Sequence, residues 1–206
     1  MNTFYQTNEI LKQRLSAGPP GHQNFYTHIR KTEIIRKPEE LSNSRKSAVL
    51  LMLYPDKNEI YLPFILRPPY DGTHGGQISF PGGRMEEVDE SFERTALREA
   101  EEEIGIKSLD VTILGELSPV YIPPSNFLVK PFVGYMNYRP VFYPDEREVA
   151  EVIEVPLSQL KHEKLEKRVI DVRGNRLVAF GFEANGNWIW GATALMVWEL
   201  MEMLEK

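Results

Sequence analysis

Apolar positions fall at helical spacing near both ends of the chain and in strand-like runs between them. Phe4, Ile10, Leu11 and Leu15 share one face of a segment that predicts a helix over about residues 2–15. Paired prolines between glycines, at 18–21, end it, and the polar, weakly patterned residues 22–46 read as an extended connector. "SAVLLMLYP" (47–55) is a continuous apolar run suited to a strand covered on both faces. A turn over Pro55-Asp56-Lys57-Asn58 and the run "EIYLPFILR" complete a hairpin. Asp89 or Ser91 can cap a helix that runs to about Glu103 and stops at Gly105. "VTILGEL", "NFLVKPFVGYM" and "EVAEVIEVPL" are further strand candidates, and "GFEANGNWIWG" predicts a hairpin turning on Asn-Gly. The chain closes on "ATALMVWELMEMLEK", a strongly apolar amphipathic helix. The pattern is α+β, a mixed sheet with helices against it. No repeat or low-complexity linker divides it, so residues 1–46 are expected to pack as helix and connector on one domain, 47–206.

Composition narrows the function classes. The absence of cysteine excludes disulfides and thiol catalysis. With a net charge of −6 and no basic stripe interleaved with aromatics, a nucleic-acid partner is not expected. No apolar run approaches the roughly 20 residues that span a bilayer, so no membrane partner is expected. The opening residues lack the apolar stretch of a signal peptide, so the expected compartment is the cytoplasm. The acidic excess concentrates in "EEVDESFE" and "EEEIG". An anionic substrate would be repelled there unless a cation intervened.

Two stretches carry candidate chemistry. "HGGQISFPGGR" (74–84) places four glycines in eleven residues around a strand-like centre, which implies close approach to the main chain. In "ALREAEEEIGI" (96–106), Glu99, Glu102 and Glu103 fall within an arc of about 100° on an ideal helix. They flank the apolar sector of Phe92, Ala96, Leu97, Ala100 and Ile104 instead of opposing it. A solvated acidic face is the competing reading. Crowded carboxylates raise one another's pKa unless neutralised, and hard oxygen ligands of this kind suit Mg²⁺ or Mn²⁺.

Taken together, Gly83 to Ile106 resembles the Nudix box, G-x5-E-x7-R-E-U-x-E-E-x-G-U. Glu90, Arg98, Glu99, Ala100, Glu102, Glu103, Gly105 and Ile106 match in register, while Gly83 lies one residue too far from Glu90. His74, Gly76, Gln77, Phe80, Pro81, Gly82 and Gly83 also resemble the element that precedes the box in the coenzyme A pyrophosphatase branch of the Nudix hydrolases. "PSNFLVKPFVGY", "EVAEVIEVPL" and "IWGATA" extend that likeness over most of residues 47–200. The branch's arginine position is occupied by Gly72, and Arg67 is the candidate for a compensating charge.

The resemblance implies an α/β/α sandwich around a mixed sheet, with N- and C-terminal helices added. It implies Mg²⁺- or Mn²⁺-dependent hydrolysis of a nucleoside diphosphate-linked substrate, with coenzyme A or a derivative leading. ADP-ribose, NADH and dinucleoside polyphosphates are the alternative substrates, and a non-catalytic binding module is a further alternative. Glu99, Glu102 and Glu103 and the Gly83 carbonyl are the implied metal ligands. Glu102, Glu103 or Glu148 is the base, and Arg98 is expected to anchor the loop on Glu90. Arg67, His74, Gln77 and Ser79 are candidate substrate contacts. Lys130 is read as a rim charge, and Trp188, Trp190 and Trp198 as core or dimer packing. A homodimer would cover the apolar terminal elements.

Overall fold

The strand β1 (Arg45–Asp56) organises the fold because both of its faces are apolar. Ala48, Leu50, Met52 and Tyr54 point to one side, where they pack on Ala96, Leu97, Ala100 and Ile104 of a helix, Phe92–Ile104. Leu51 and Leu53 point to the other and join a larger core that includes Phe4, Leu11, Leu15 and Phe25. A period-two strand with no polar face can be stable only between two layers, and this one lies between helices.

The computed structural model describes residues 3–29, 41–69, 75–172 and 174–205. Before β1 come α1 (Thr3–Ser16) and α2 (Gln23–His28). After it come β2 (Glu59–Leu66), β3 (Ile78–Ser79), β4 (Gly82–Arg84) and α3 (Phe92–Ile104). The chain continues through β5 (Thr112–Glu116), β6 (Val120–Ile122), β7 (Phe127–Tyr135) and β8 (Glu151–Pro156). It ends with β9 (Leu165–Val172), β10 (Asn175–Ala184), β11 (Asn187–Trp190) and α4 (Gly191–Glu205).

The main sheet is mixed, with the path β3-β2-β1-β7-β5; β4 joins β1, β6 joins β7 and β8 joins β2. β1 and β7 run parallel with Leu51 opposite Val133, and β1 turns antiparallel into β2. That turn is made by Lys57 and Asn58, both at positive φ (46° and 67°). β9, β10 and β11 form a separate antiparallel sheet, whose last hairpin turns on Asn185-Gly186, again both at positive φ. The two-residue turns match the right-handed twist of their strands. No helix among the described residues is long and apolar enough to cross a membrane.

Two expectations are corrected here. The connector over 22–46 is not extended throughout: Gln23–His28 is helical, because Phe25 inserts into the core against Trp198, 5.6 Å between ring centroids. β9 was not foreseen at all. Its sequence "LEKRVIDV" breaks strict alternation, and its order comes from pairing with β10 along its own full length.

α4 is buried on nearly every side, and the polar groups it carries inward are used as fasteners. Glu199, fully buried, accepts hydrogen bonds from Gly21 N and Ser118 N, each at 3.0 Å, and lies 3.4 Å from His22 Nε2. Burial alone would raise the Glu199 carboxyl, but the neighbouring His22 imidazole and the hydrogen bond from Ser118 outweigh it and hold it below its ordinary value. The charged form is therefore the stabilising one above the unfolded-state pKa, and its contribution is lost as pH falls through the lower folded-state pKa. Glu199→Gln should cost about 1–3 kcal/mol at pH 7, because one main-chain N–H then faces an amide donor. In thermal unfolding, the gap between wild type and variant should shrink towards acid pH; a gap constant with pH would show that charge is not involved.

Candidate active site

Main-chain requirements of β4 explain the glycine cluster. At Gly82, φ is +153°, and a β-carbon there would stand 2.3 Å from the Ala48 carbonyl oxygen. At Gly83 a β-carbon would stand 2.5 Å from the Glu99 carboxylate. The first glycine lets β4 lie against β1, and the second lets a helix-borne acid lie against β4.

α3 delivers that acid. Ser91 caps its start, with Oγ accepting from Arg94 N at 3.2 Å, and Gly105 closes its end at φ 71°. The apolar face docked on β1 leaves Glu99 and Glu103 facing β4. Glu103 is 1% exposed; its Oε2 accepts from Gly82 N at 2.7 Å and its Oε1 lies 3.2 Å from Arg67 Nη2. Arg67 also donates to the Gly82 carbonyl at 3.0 Å. Burial pushes Glu103 up to about 7, and Glu99 and Glu148 add to the rise against the opposing pull of Arg67 and Gly82 N. Burial raises Glu99 as well.

Glu148 reaches the pair from a loop. The segment after Pro140 hangs on the free carbonyls at the end of α3: Tyr143 N donates to Ile104 O at 2.9 Å and Asp145 N to Glu103 O at 3.0 Å. Val149, the residue after Glu148, is buried, and Ala150 N donates to Leu66 O at 2.8 Å. Glu99, Glu103 and Glu148 thereby bring carboxylate oxygens within 4.8 Å of one another. Three carboxylate oxygens gathered that closely suit one hard divalent cation, so the donor set fits Mg²⁺ or Mn²⁺ in its chemistry.

Glu102, grouped with Glu99 and Glu103 by helical phase, stands outside this cluster. It lines the same cavity but pairs with Arg98 at 2.8 Å, its side chain 59% exposed. The Gly83 carbonyl accepts from Ser47 Oγ at 2.6 Å, which leaves its second lone pair for another partner. Gln77 and Ser79 line the cavity together with Arg67. His74 and Gly72 lie outside the described residues. Lys130 lies beyond the lining, 3.3 Å from Glu116 and over the Phe92 ring.

The anchor of the loop is corrected by one residue. Arg98 does not pair with Glu90, which is exposed; it grips buried Asp89 through Nε and Nη2, both at 2.9 Å. Asp89 also accepts from Glu86 N and Thr95 Oγ1, and these bonds, led by that from Arg98, hold its carboxyl well below the usual range. Asp89 stands six residues after Gly83, so the glycine-to-acid spacing of the motif is kept and the extra residue falls behind the acid. Counting forward from Gly83 would have found it.

The cavity has a volume of about 880 Å³ and two unlike kinds of lining. Carboxylates and arginines surround β4, while Ile122, Pro124, Phe127, Leu177 and Trp190 form an apolar wall. Trp190 and Leu177 come from the second sheet, so one of the three tryptophans lines the cavity, whereas Trp198 is core and Trp188 carries Arg168 at 4.1 Å. Ser47 and Trp190 were not singled out as site residues. A lone polar residue opening an apolar strand was the available signal for Ser47.

Residues 44–172 match the sequence profile described as the NUDIX domain. A protein of Photorhabdus laumondii subsp. laumondii, called uncharacterized Nudix hydrolase NudL, is 32% identical over 169 residues, 82% of this chain and 90% of that one. A Yersinia pestis (strain Pestoides F) protein of the same name is 34% identical over 165 residues, 79% of this chain and 81% of its own length. Among solved structures, the NUDIX domain of Shewanella oneidensis NrtR complexed with ADP ribose aligns at TM-score 0.47 and 17% identity, over 66% of this chain and 84% of that one. The profile match and these relatives put the chain in the Nudix family. It is a Nudix pyrophosphohydrolase.

The geometry makes two predictions. Asp89→Asn should lower the unfolding temperature by several degrees, as expected for loss of a buried charge partner of roughly 2–4 kcal/mol, while Glu90→Gln should leave it in place. Equal effects would return the anchor to Glu90. Gly83→Ala should weaken Mn²⁺ binding, read by calorimetry, about tenfold or more with little change in stability, because the new methyl displaces the Glu99 carboxylate. Undiminished binding would remove Glu99 from the ligand set.

Proposed function

We propose that the protein hydrolyses coenzyme A or a derivative to 3′,5′-ADP and (acyl-)4′-phosphopantetheine, with Mg²⁺ or Mn²⁺. The observation that carries the diphosphatase chemistry is the convergence of Glu99, Glu103 and Glu148 beside glycine main chain. The coenzyme A reading is supported by the resemblance of residues 74–83 and by a cavity whose lining combines charged and apolar side chains. Glu99, Glu103 and Glu148 would hold the cation, with the Gly83 carbonyl and Glu102 beside them. When bound, it neutralises the diphosphate against the acidic wall and lowers the pKa of a coordinated water.

The chain's own groups do the rest. Arg67 sets Glu103 and the Gly82–Gly83 main chain in one geometry and presents positive charge to a phosphoryl oxygen. Glu148, on its loop at the cavity edge, takes the proton from the attacking water. Gln77 and Ser79 line the passage that the diphosphate occupies. The apolar wall packs against the organic part of the substrate and keeps bulk water from the anhydride.

Product analysis tests this directly. Purified protein with Mg²⁺ should release 3′,5′-ADP from coenzyme A, and chelator should abolish the release. Activity confined to ADP-ribose, NADH or a diadenosine polyphosphate would keep the chemistry and refute the substrate. Glu102→Gln, Glu103→Gln and Glu148→Gln should each lower kcat by about a hundredfold or more while remaining folded. A variant with unchanged turnover at saturating Mg²⁺ would take that residue out of the mechanism.

A further inference from the structure

Three guanidinium groups line the cavity, and two are committed. Arg67 pairs with Glu103 at 3.2 Å. Arg98 pairs with Asp89, Glu99 and Glu102 at 2.9, 3.1 and 2.8 Å. Arg84 lines the same cavity, yet its guanidinium pairs with no carboxylate among the described residues, in a lining that includes five glutamates. Its main chain is fixed by β-pairing to Ser47 and by Arg98 Nη2, which donates to the Arg84 carbonyl at 3.2 Å.

Sheet register places the side chain. Ser47 stands opposite Arg84 on β4 and opposite Val129 on β7, and directly opposed residues share a face. Gly83, one residue earlier, turns to the other face, where Glu99 lies. Arg84 therefore leaves β4 on the side of Val129 and Phe127, away from the carboxylate cluster. Arg45, two residues before Ser47 on β1, lies 4.1 Å over the Phe127 ring and adds a second cation to that side. A diphosphate held at the glutamates would not satisfy Arg84. A second anionic group on the same substrate would, and a guanidinium fork suits phosphate oxygens in particular.

We infer that Arg84 is a specificity residue that recognises a phosphomonoester carried by the substrate beside its scissile diphosphate. This rests on the diphosphatase reading of the site and deepens the coenzyme A reading, since the 3′-phosphate of coenzyme A is such a group. It also gives a charge to a chain that has Gly72 where the resembling branch has arginine.

The test compares kcat/KM for two substrate pairs, coenzyme A with 3′-dephospho-coenzyme A and NADPH with NADH, in wild type, Arg84→Ala and Arg84→Lys. Unfolding temperatures confirm that the variants are folded. Wild type should favour the phosphorylated member of a pair by about ten- to a hundredfold, as one charge-assisted contact allows. Arg84→Ala should bring that ratio down to about one through a rise in KM, and Arg84→Lys should restore part of it. A ratio that survives Arg84→Ala, or a variant that depresses both members equally, would overturn the inference. So would a wild type with no preference in either pair. Preference and its loss confined to NADPH over NADH would sustain Arg84 and refute coenzyme A as the substrate. Cleavage of coenzyme A with no preference in either pair would do the reverse.

Discussion

The hydrogen bond from Gly82 N to the Glu103 carboxylate, 2.7 Å and almost wholly shielded from solvent, fixes α3 to β4. A carboxylate in that position has two requirements. Backbone must come close enough to donate, which only a residue without a β-carbon permits here, and a cation must stand nearby. Gly82 and Gly83 meet the first and Arg67 the second. The cation is insufficient to restore an ordinary pKa, so Glu103 remains a group waiting for more positive charge. A divalent ion is the economical answer, because it neutralises Glu99 and Glu148 as well.

Arg98 shows how the same chain eases the repulsion among the acids around that balance. It binds Asp89 on the loop, Glu102 one turn on and Glu99 beside it, so the helix carries four acidic residues near its end without collapse by repulsion. One guanidinium with five donors can do this; a lysine could not. The result is a graded cavity. Acids with little compensation gather at β4, compensated acids sit on the outer helix face, and an uncompensated arginine lies across the strand from both.

Local signals were legible and assembled ones were not. The cap at Ser91, the stop at Gly105, the double-faced strand and the Asn-Gly hairpin follow from residues within a few positions of each other. α2 was missed because one buried ring, Phe25, orders a polar segment through tertiary contact. The acids at 99, 102 and 103 share an arc, yet the helix phase could not say which would be claimed by Arg98. Asp89 was hidden by its more exposed neighbour Glu90, since reading the motif from its helix end misplaces the inserted residue. The apolar wall was invisible because Trp190 and Leu177 belong to a separate sheet and meet β4 only in three dimensions.

Gly105 joins the local account to the assembled one. Its left-handed conformation ends α3, which any helix could achieve with glycine at that position. A β-carbon there would also stand 2.7 Å from the Tyr143 side chain. The helix end is therefore open for the 143–150 segment to bond the carbonyls of Glu103 and Ile104, groups that would otherwise require water. Satisfying those carbonyls is what carries Glu148 back to Glu99 and Glu103, 49 and 45 residues earlier in the chain. Thus the residue that stops the helix also allows its third acidic partner to arrive, and a requirement of backbone hydrogen bonding becomes a means of building the site.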